Sequence, residues 1–146
     1  MTLMAIMVFL TLSAIAALHL AWGLGATFPA ASRDDLFHLV VGATARTEMP
    51  DLAQCLAAAT AIFLSGVTAL LVADIVRLPV PPWVVTALGM LVALVFAGRG
   101  AAPYTRLWRR HFARQPFATM DQSWYGPLSL LLAACFAILL IQRVMT

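Results

Sequence analysis

His19 and Trp22 stand three residues apart near the end of a long apolar stretch, in the segment HLAWGLGATFP from His19 to Pro29. An imidazole can donate, accept or relay a proton. An ionisable side chain inside a membrane-crossing segment is a functional candidate by default. Trp22 shares its helical face, and Gly23 leaves room beside it. The plainer alternative is a histidine hydrogen-bonded to a neighbouring helix as bundle glue. A second candidate pair, Asp121 and Tyr125, lies in FATMDQSWYGPLSL. A carboxylate beside an imidazole orients the ring and raises its basicity, which begins an acid–base site. Packed antiparallel, the two segments would gather His19, Trp22, Asp121 and Tyr125 into one polar cluster at a membrane face. Local structure offers its own account of the second segment. Asp121 could cap a helix N-terminus, Trp124 and Tyr125 suit an aromatic belt, and Pro127 is tolerated in a first helical turn.

No nucleophile, second carboxylate or metal-ligand set completes the cluster, so no catalytic residue is named and the reading leans away from an enzyme. His38 and His111 fall in loops, which leaves His19 as the one histidine in a span. That pattern suits neither a metal site nor bis-histidine haem, and no cofactor is identified. Cys55 and Cys135 form no paired motif and read as small packing residues. Phosphate-loop, dinucleotide and zinc-protease motifs are missing from the sequence. Asp74 lies near a span end, with Arg77 close enough to pair with it.

The elements that must position these residues are apolar stretches at about 3–26, 52–73, 80–97 and 125–141. Each approaches the length needed to cross a bilayer as a helix. With 63% hydrophobic and 10% charged residues over 146 positions, the chain has no room for a separate soluble domain. The expected fold is all-α: one polytopic domain over residues 1–146, with four transmembrane helices in an antiparallel bundle. The first stretch has no basic leader and reads as a retained span rather than a signal peptide. In the first loop, DDLFHLVVGA could form a short helix or lie on the membrane surface, and Asp51 marks the start of span two. The proline-rich turn at Pro79, Pro81 and Pro82 predicts a hairpin of spans two and three.

Small residues recur four apart on every span: Ser13, Ala17, Ala21 and Gly25 on the first, Gly89, Ala93 and Ala97 on the third, Ser129, Ala133 and Ala137 on the fourth. The longest stripe is Ala57, Ala61, Ser65, Ala69 and Ala73 in span two, which predicts a central position for that helix.

All nine basic residues are arginine, and five lie between spans three and four: Arg99, Arg106, Arg109, Arg110 and Arg114. Tyr104, Leu107, Trp108, His111 and Phe112 recur there with helical spacing. The segment from Tyr104 to Gln115 is therefore expected to be a short amphipathic interfacial helix before span four. Arg106, Arg109, Arg110 and Arg114 are its candidate contacts with lipid phosphate, unless it serves only as an anchor. A basic patch beside membrane spans favours membrane lipids over nucleic acid as its partner. The loop arginines place the first and third loops in the cytoplasm and both termini outside.

These residues resemble a bacterial group of small four-span membrane proteins catalogued only as a domain of unknown function. The matching positions are His19 and Trp22, then Gly100 and Tyr104, then Phe117, Ala118, Asp121, Tyr125, Pro127 and Leu128. Ala101 stands where the group's pattern has aspartate, and Ser129 where it has cysteine. The resemblance supports the four-span architecture and a ligand-binding candidate set of His19, Trp22, Tyr104, Asp121 and Tyr125, and the expected location is the bacterial inner membrane. It implies no activity.

The leading expectation is a membrane protein that binds a lipid or hydrophobic small molecule at a polar cluster near one membrane face. The first alternative is an accessory subunit or assembly factor, packing on a membrane-protein partner or forming a homo-oligomer. The second is a small dimeric transporter, which the scarcity of polar residues in the spans disfavours.

Overall fold

A computed structural model describes residues 1–145, and the secondary structure among them is helical. Helix α1 spans Thr2–Gly23, α2 Arg33–Val40, α3 Leu52–Val72 and α4 Pro82–Ala101. A 3₁₀ turn at Ala102–Tyr104 leads to α5 at Arg106–His111. Helix α6 (Phe117–Met120), a π-helical turn (Asp121–Tyr125) and α7 (Gly126–Met145) follow one another without a break. Four of the resulting helices are long and apolar enough to cross a membrane: Thr2–Gly23, Leu52–Val72, Pro82–Tyr104 and Phe117–Met145. The protein is thus a polytopic helical bundle.

Helix ends follow from local chemistry. Ser32 accepts a hydrogen bond from the Asp35 amide at the start of α2, and Asp51 accepts one from the Gln54 amide at the start of α3. Pro82 opens α4, where its missing N–H has no helical partner to lose. Helix α1 ends in a left-handed residue, Gly25 at φ 100°, with Gly25 N–H donating to Trp22 O and Ala26 N–H to Ala21 O. Helix α3 ends in the same way with Asp74 at φ 55°, a conformation that aspartate tolerates better than most residues.

The packing corrects the expected pairing of helices. Helix α3 lies mainly along α1, and α4 mainly along α7. The short turn between α3 and α4 does make them neighbours, but over a smaller contact. The shared core joins Val8 and Leu12 of α1, Ala69 and Val72 of α3, Val85 of α4, and Phe136 and Leu139 of α7. Helix α3 touches all three other spans, as α7 does, and it is the most buried of the four, so it is central as expected. Its packing face, however, follows the predicted stripe only in its last part, at Ala69 and Ala73. Cys55, Ala59, Gly66, Ala69 and Ala73 are buried, whereas Ala57 and Ala61 are exposed. A Cβ on Gly66 would come within 3.3 Å of the Leu12 Cβ, which shows how closely α1 and α3 approach.

Glycine also sets the α4–α7 crossing. A Cβ on Gly100 would lie 2.8 Å from the Leu130 amide nitrogen, and one on Gly126 would lie 3.3 Å from the Gly100 carbonyl oxygen. At the opposite end of the bundle, Asp74 pairs with Arg143 at 3.0 Å, not with Arg77 as expected. The same guanidinium donates to the carbonyls of Leu71 and Val72. It thereby satisfies terminal carbonyls of α3 with a charge the helix dipole favours.

The fourth span begins eight residues before the predicted start of Tyr125, at Phe117. Pro127 lacks an N–H and would crowd the carbonyl one turn back in a regular helix. The π-helical turn just before it widens the backbone there, so the helix continues through the segment. Asp121 is therefore inside a continuous helix rather than at its cap. The expected helix from Tyr104 to Gln115 is also shorter, because Tyr104 belongs to the 3₁₀ turn and α5 ends at His111.

Candidate functional site

The predicted polar residues divide between two places at the same end of the bundle. The first is a cleft of about 440 Å³ lined by His19 and Trp22 of α1, Val40 and Val41 after α2, Arg46, Met49 and Pro50 of the first loop, and Gln54, Cys55 and Ala58 of α3. Its volume falls in the range typical of small-molecule sites.

His19 continues the buried face of α1 that runs through Ala5, Val8, Leu12 and Ala16. Its Nδ1 lies 2.9 Å from the Ile15 carbonyl oxygen. A carbonyl only accepts, so Nδ1 is the donor in this contact, and Nε2 makes no hydrogen bond among the described residues. The Trp22 ring sits 4.9 Å from the imidazole, centroid to centroid, while its Nε1–H donates to the Phe28 carbonyl at 2.7 Å. Trp22 therefore ties down the turn after α1 and walls the imidazole on one side. Arg46 brings a guanidinium to the same cleft and donates to Gln54 Oε1 at 3.0 Å. Cys55 is buried and its Sγ–H points to the Pro50 carbonyl at 3.7 Å. A Cβ on Gly23 would fall 2.8 Å from the Cys55 Cβ, so α1 and α3 close tightly at the edge of the cleft. Both cysteines are free thiols.

The second place is centred on Asp121, which is 1% exposed. Its Oδ1 accepts from Arg99 Nη2 at 2.5 Å and its Oδ2 from Trp108 Nε1 at 2.8 Å. Arg99 also lies over the Trp108 ring, 5.2 Å from the centroid. Arg99 lies in the last turn of α4, not in the loop where sequence reading put it. The carboxylate is thus occupied by a cation and an indole rather than by His19. Tyr125, one turn along, donates to the Leu39 carbonyl at 3.4 Å, and Tyr104 donates to the Gln122 carbonyl at 2.9 Å. Both hydroxyls hold backbone. A buried ion pair with an indole donor locks α4, α5 and the π turn together, which is a structural arrangement rather than a poised acid–base pair.

Between the two places run the end of α2 and the non-helical segment from Val41 to Arg46. Arg114 Nη2 donates to the carbonyls of Ala43 and Arg46, at 3.3 and 2.6 Å, and its guanidinium lies 4.6 Å from the Phe37 ring centroid. The Thr44 amide donates to the His111 carbonyl at 3.1 Å. Gly42 lets the Phe117 ring approach its backbone, since a Cβ there would come within 2.0 Å of that ring. Arg114 is therefore a clasp between the first and third loops, where it had been expected to reach lipid phosphate. Arg106, Arg109 and Arg110 are exposed on α5 and enter no ion pair among the described residues.

Sequence reading missed Arg46, Gln54, Arg99 and Trp108 as members of these sites. The usable signal was indirect: an aspartate within an apolar helix requires a buried cation or donor, and Arg99 ends the preceding span. Arg46 carried no such signal, because only the fold of the first loop carries it to α1. Among the described residues no three His, Cys, Asp or Glu side chains gather as a metal site would require.

Comparison with curated proteins and with solved structures found no match for this chain. A family model described as "Protein of unknown function (DUF3995)" matches residues 12–136. That region holds His19, the π turn and the greater part of all four spans, in agreement with the resemblance drawn from the motifs. The chain belongs to the DUF3995 family of proteins of unknown function.

Proposed function

We propose that the protein binds a lipid or other amphiphilic small molecule in the cleft between α1 and α3. The observation that carries this reading is the cleft's chemistry. An imidazole whose Nε2 has no partner among the described residues faces the same space as a guanidinium, and the remaining walls are largely apolar. His19 and Arg46 would hold the polar head, while Val40, Val41, Met49 and Ala58 would receive the apolar part. The Asp121 pair supports the cleft from behind by holding the third loop, which in turn clasps the first.

Native mass spectrometry of protein purified in native-lipid discs tests this. The wild type is expected to retain a defined small mass that His19→Ala and Arg46→Ala both lose while remaining folded. Retention of that mass by both variants removes the cleft reading. A second reading, packing on a larger membrane partner, is favoured by one observation: Ala57 and Ala61 are exposed on α3, leaving a small-residue face outside the bundle. A stoichiometric partner released by Ala61→Leu, with no small mass on the wild type, supports that reading instead.

A further inference from the structure

We propose that α5 is a contact surface for anionic phospholipid headgroups, separate from the cleft. Arg106, Arg109 and Arg110 stand at i, i+3 and i+4, so their guanidinium groups share one face of the helix. All three are exposed and none enters an ion pair among the described residues. The neighbouring carboxylate, Asp121, cannot neutralise them because Arg99 and Trp108 occupy its oxygens. Trp108 and Phe112, stacked 4.0 Å apart, take the other side of the segment, and the Trp108 indole pins it to Asp121. The cationic face is therefore held turned away from the bundle.

The placement favours lipid over an acidic protein. Helix α5 joins the end of one span to the start of the next, which sets it at the level where lipid phosphates lie. Beside its arginines Leu107 is 70% exposed, an apolar group suited to the boundary between headgroups and acyl chains. Guanidinium forks bind phosphate oxygens in pairs, and two arginines one turn apart can bracket one phosphate. Arg114 takes no part, since the first loop occupies it.

The test is native mass spectrometry of the purified chain in non-ionic detergent with equal phosphatidylglycerol and phosphatidylcholine. The wild type is expected to retain phosphatidylglycerol preferentially, with the preference falling as salt rises. Each Arg→Gln change on this face should weaken that retention about fivefold, and the triple variant Arg106→Gln, Arg109→Gln, Arg110→Gln about a hundredfold. Arg114→Gln should keep the preference, and the triple variant should keep any mass held in the cleft, which separates this surface from the cleft. Because the three side chains are exposed and enter no ion pair among the described residues, the triple variant should fold as the wild type does. Equal retention of the two lipids, or an unchanged preference in the triple variant, overturns the proposal. So does loss of a bound acidic protein, rather than of lipid, from that variant.

Discussion

Arg99 and Asp121 meet at 2.5 Å across the α4–α7 crossing, with the carboxylate almost wholly buried and about a third of the arginine side chain still exposed. An unpaired carboxylate would be costly in that setting, and each partner makes the other tolerable. The two glycines that bring these helices together, Gly100 and Gly126, lie beside the pair in sequence or in space. The crossing and the ion pair are thus parts of one arrangement.

Removing the acid should expose that dependence. Asp121→Ala is expected to destabilise the protein by about 3 kcal/mol, the low end for breaking a buried pair, because Arg99 retains contact with solvent. Asp121→Asn keeps an oxygen acceptor and should cost less. Denaturant unfolding in detergent measures both. In the double variant with Arg99→Gln the losses should fall short of their sum, and strict additivity would show that the pair contributes no coupling.

The glycines offer a matched comparison within one helix. Gly100→Ala puts a methyl 2.8 Å from the Leu130 amide nitrogen, where backbone must move. It should cost about 1–3 kcal/mol as overpacking. Gly98 has open space around it, so Gly98→Ala should be neutral or raise stability by up to about 1 kcal/mol through helix propensity. Equal unfolding midpoints for the two variants would contradict a close α4–α7 crossing at Gly100.

Arg114 should control the first loop without controlling the bundle. Its donations to Ala43 and Arg46 are charged hydrogen bonds, worth about 1.5–3 kcal/mol each when formed. Arg114→Ala is expected to speed amide hydrogen exchange across residues 42–46 by tenfold or more, with α3 and α7 unchanged. Uniform exchange through the loop before and after substitution would show that the clasp does not hold it.

Filling the cleft tests its role apart from its polar groups. Ala58 lines it from α3, and Ala58→Phe should displace a bound amphiphile while leaving the α1–α3 contact at Gly66 and Leu12 in place. The outcome is read as loss of the retained small mass at an unchanged unfolding midpoint. A retained mass would place the ligand elsewhere.

The four-span bundle was legible in the sequence because bilayer thickness and backbone hydrogen bonding allow few other solutions for apolar runs of that length. The helix start at Asp51 was legible because its chemistry is local; the starts at Ser32 and Pro82 rest on equally local chemistry but were not read from the sequence. His19 and Trp22 were identified for the same reason. Their partners were not, because those arrive from far along the chain. Which face of α3 packs inward depended on whether Gly66 or Ser65 met α1, and alanine is too frequent in this sequence for spacing to decide it. Asp121 had the sequence of a helix cap, but the π turn kept it inside a continuous helix, where burial selected Arg99 as its partner. Likewise, composition assigned Arg114 to lipid with its neighbours, and the fold gave it to the carbonyls of another loop. Periodicity and local hydrogen-bonding groups determined the elements. Their pairing was decided by close backbone approach and by the need to satisfy buried polar groups, which depend on distances that only the folded chain creates.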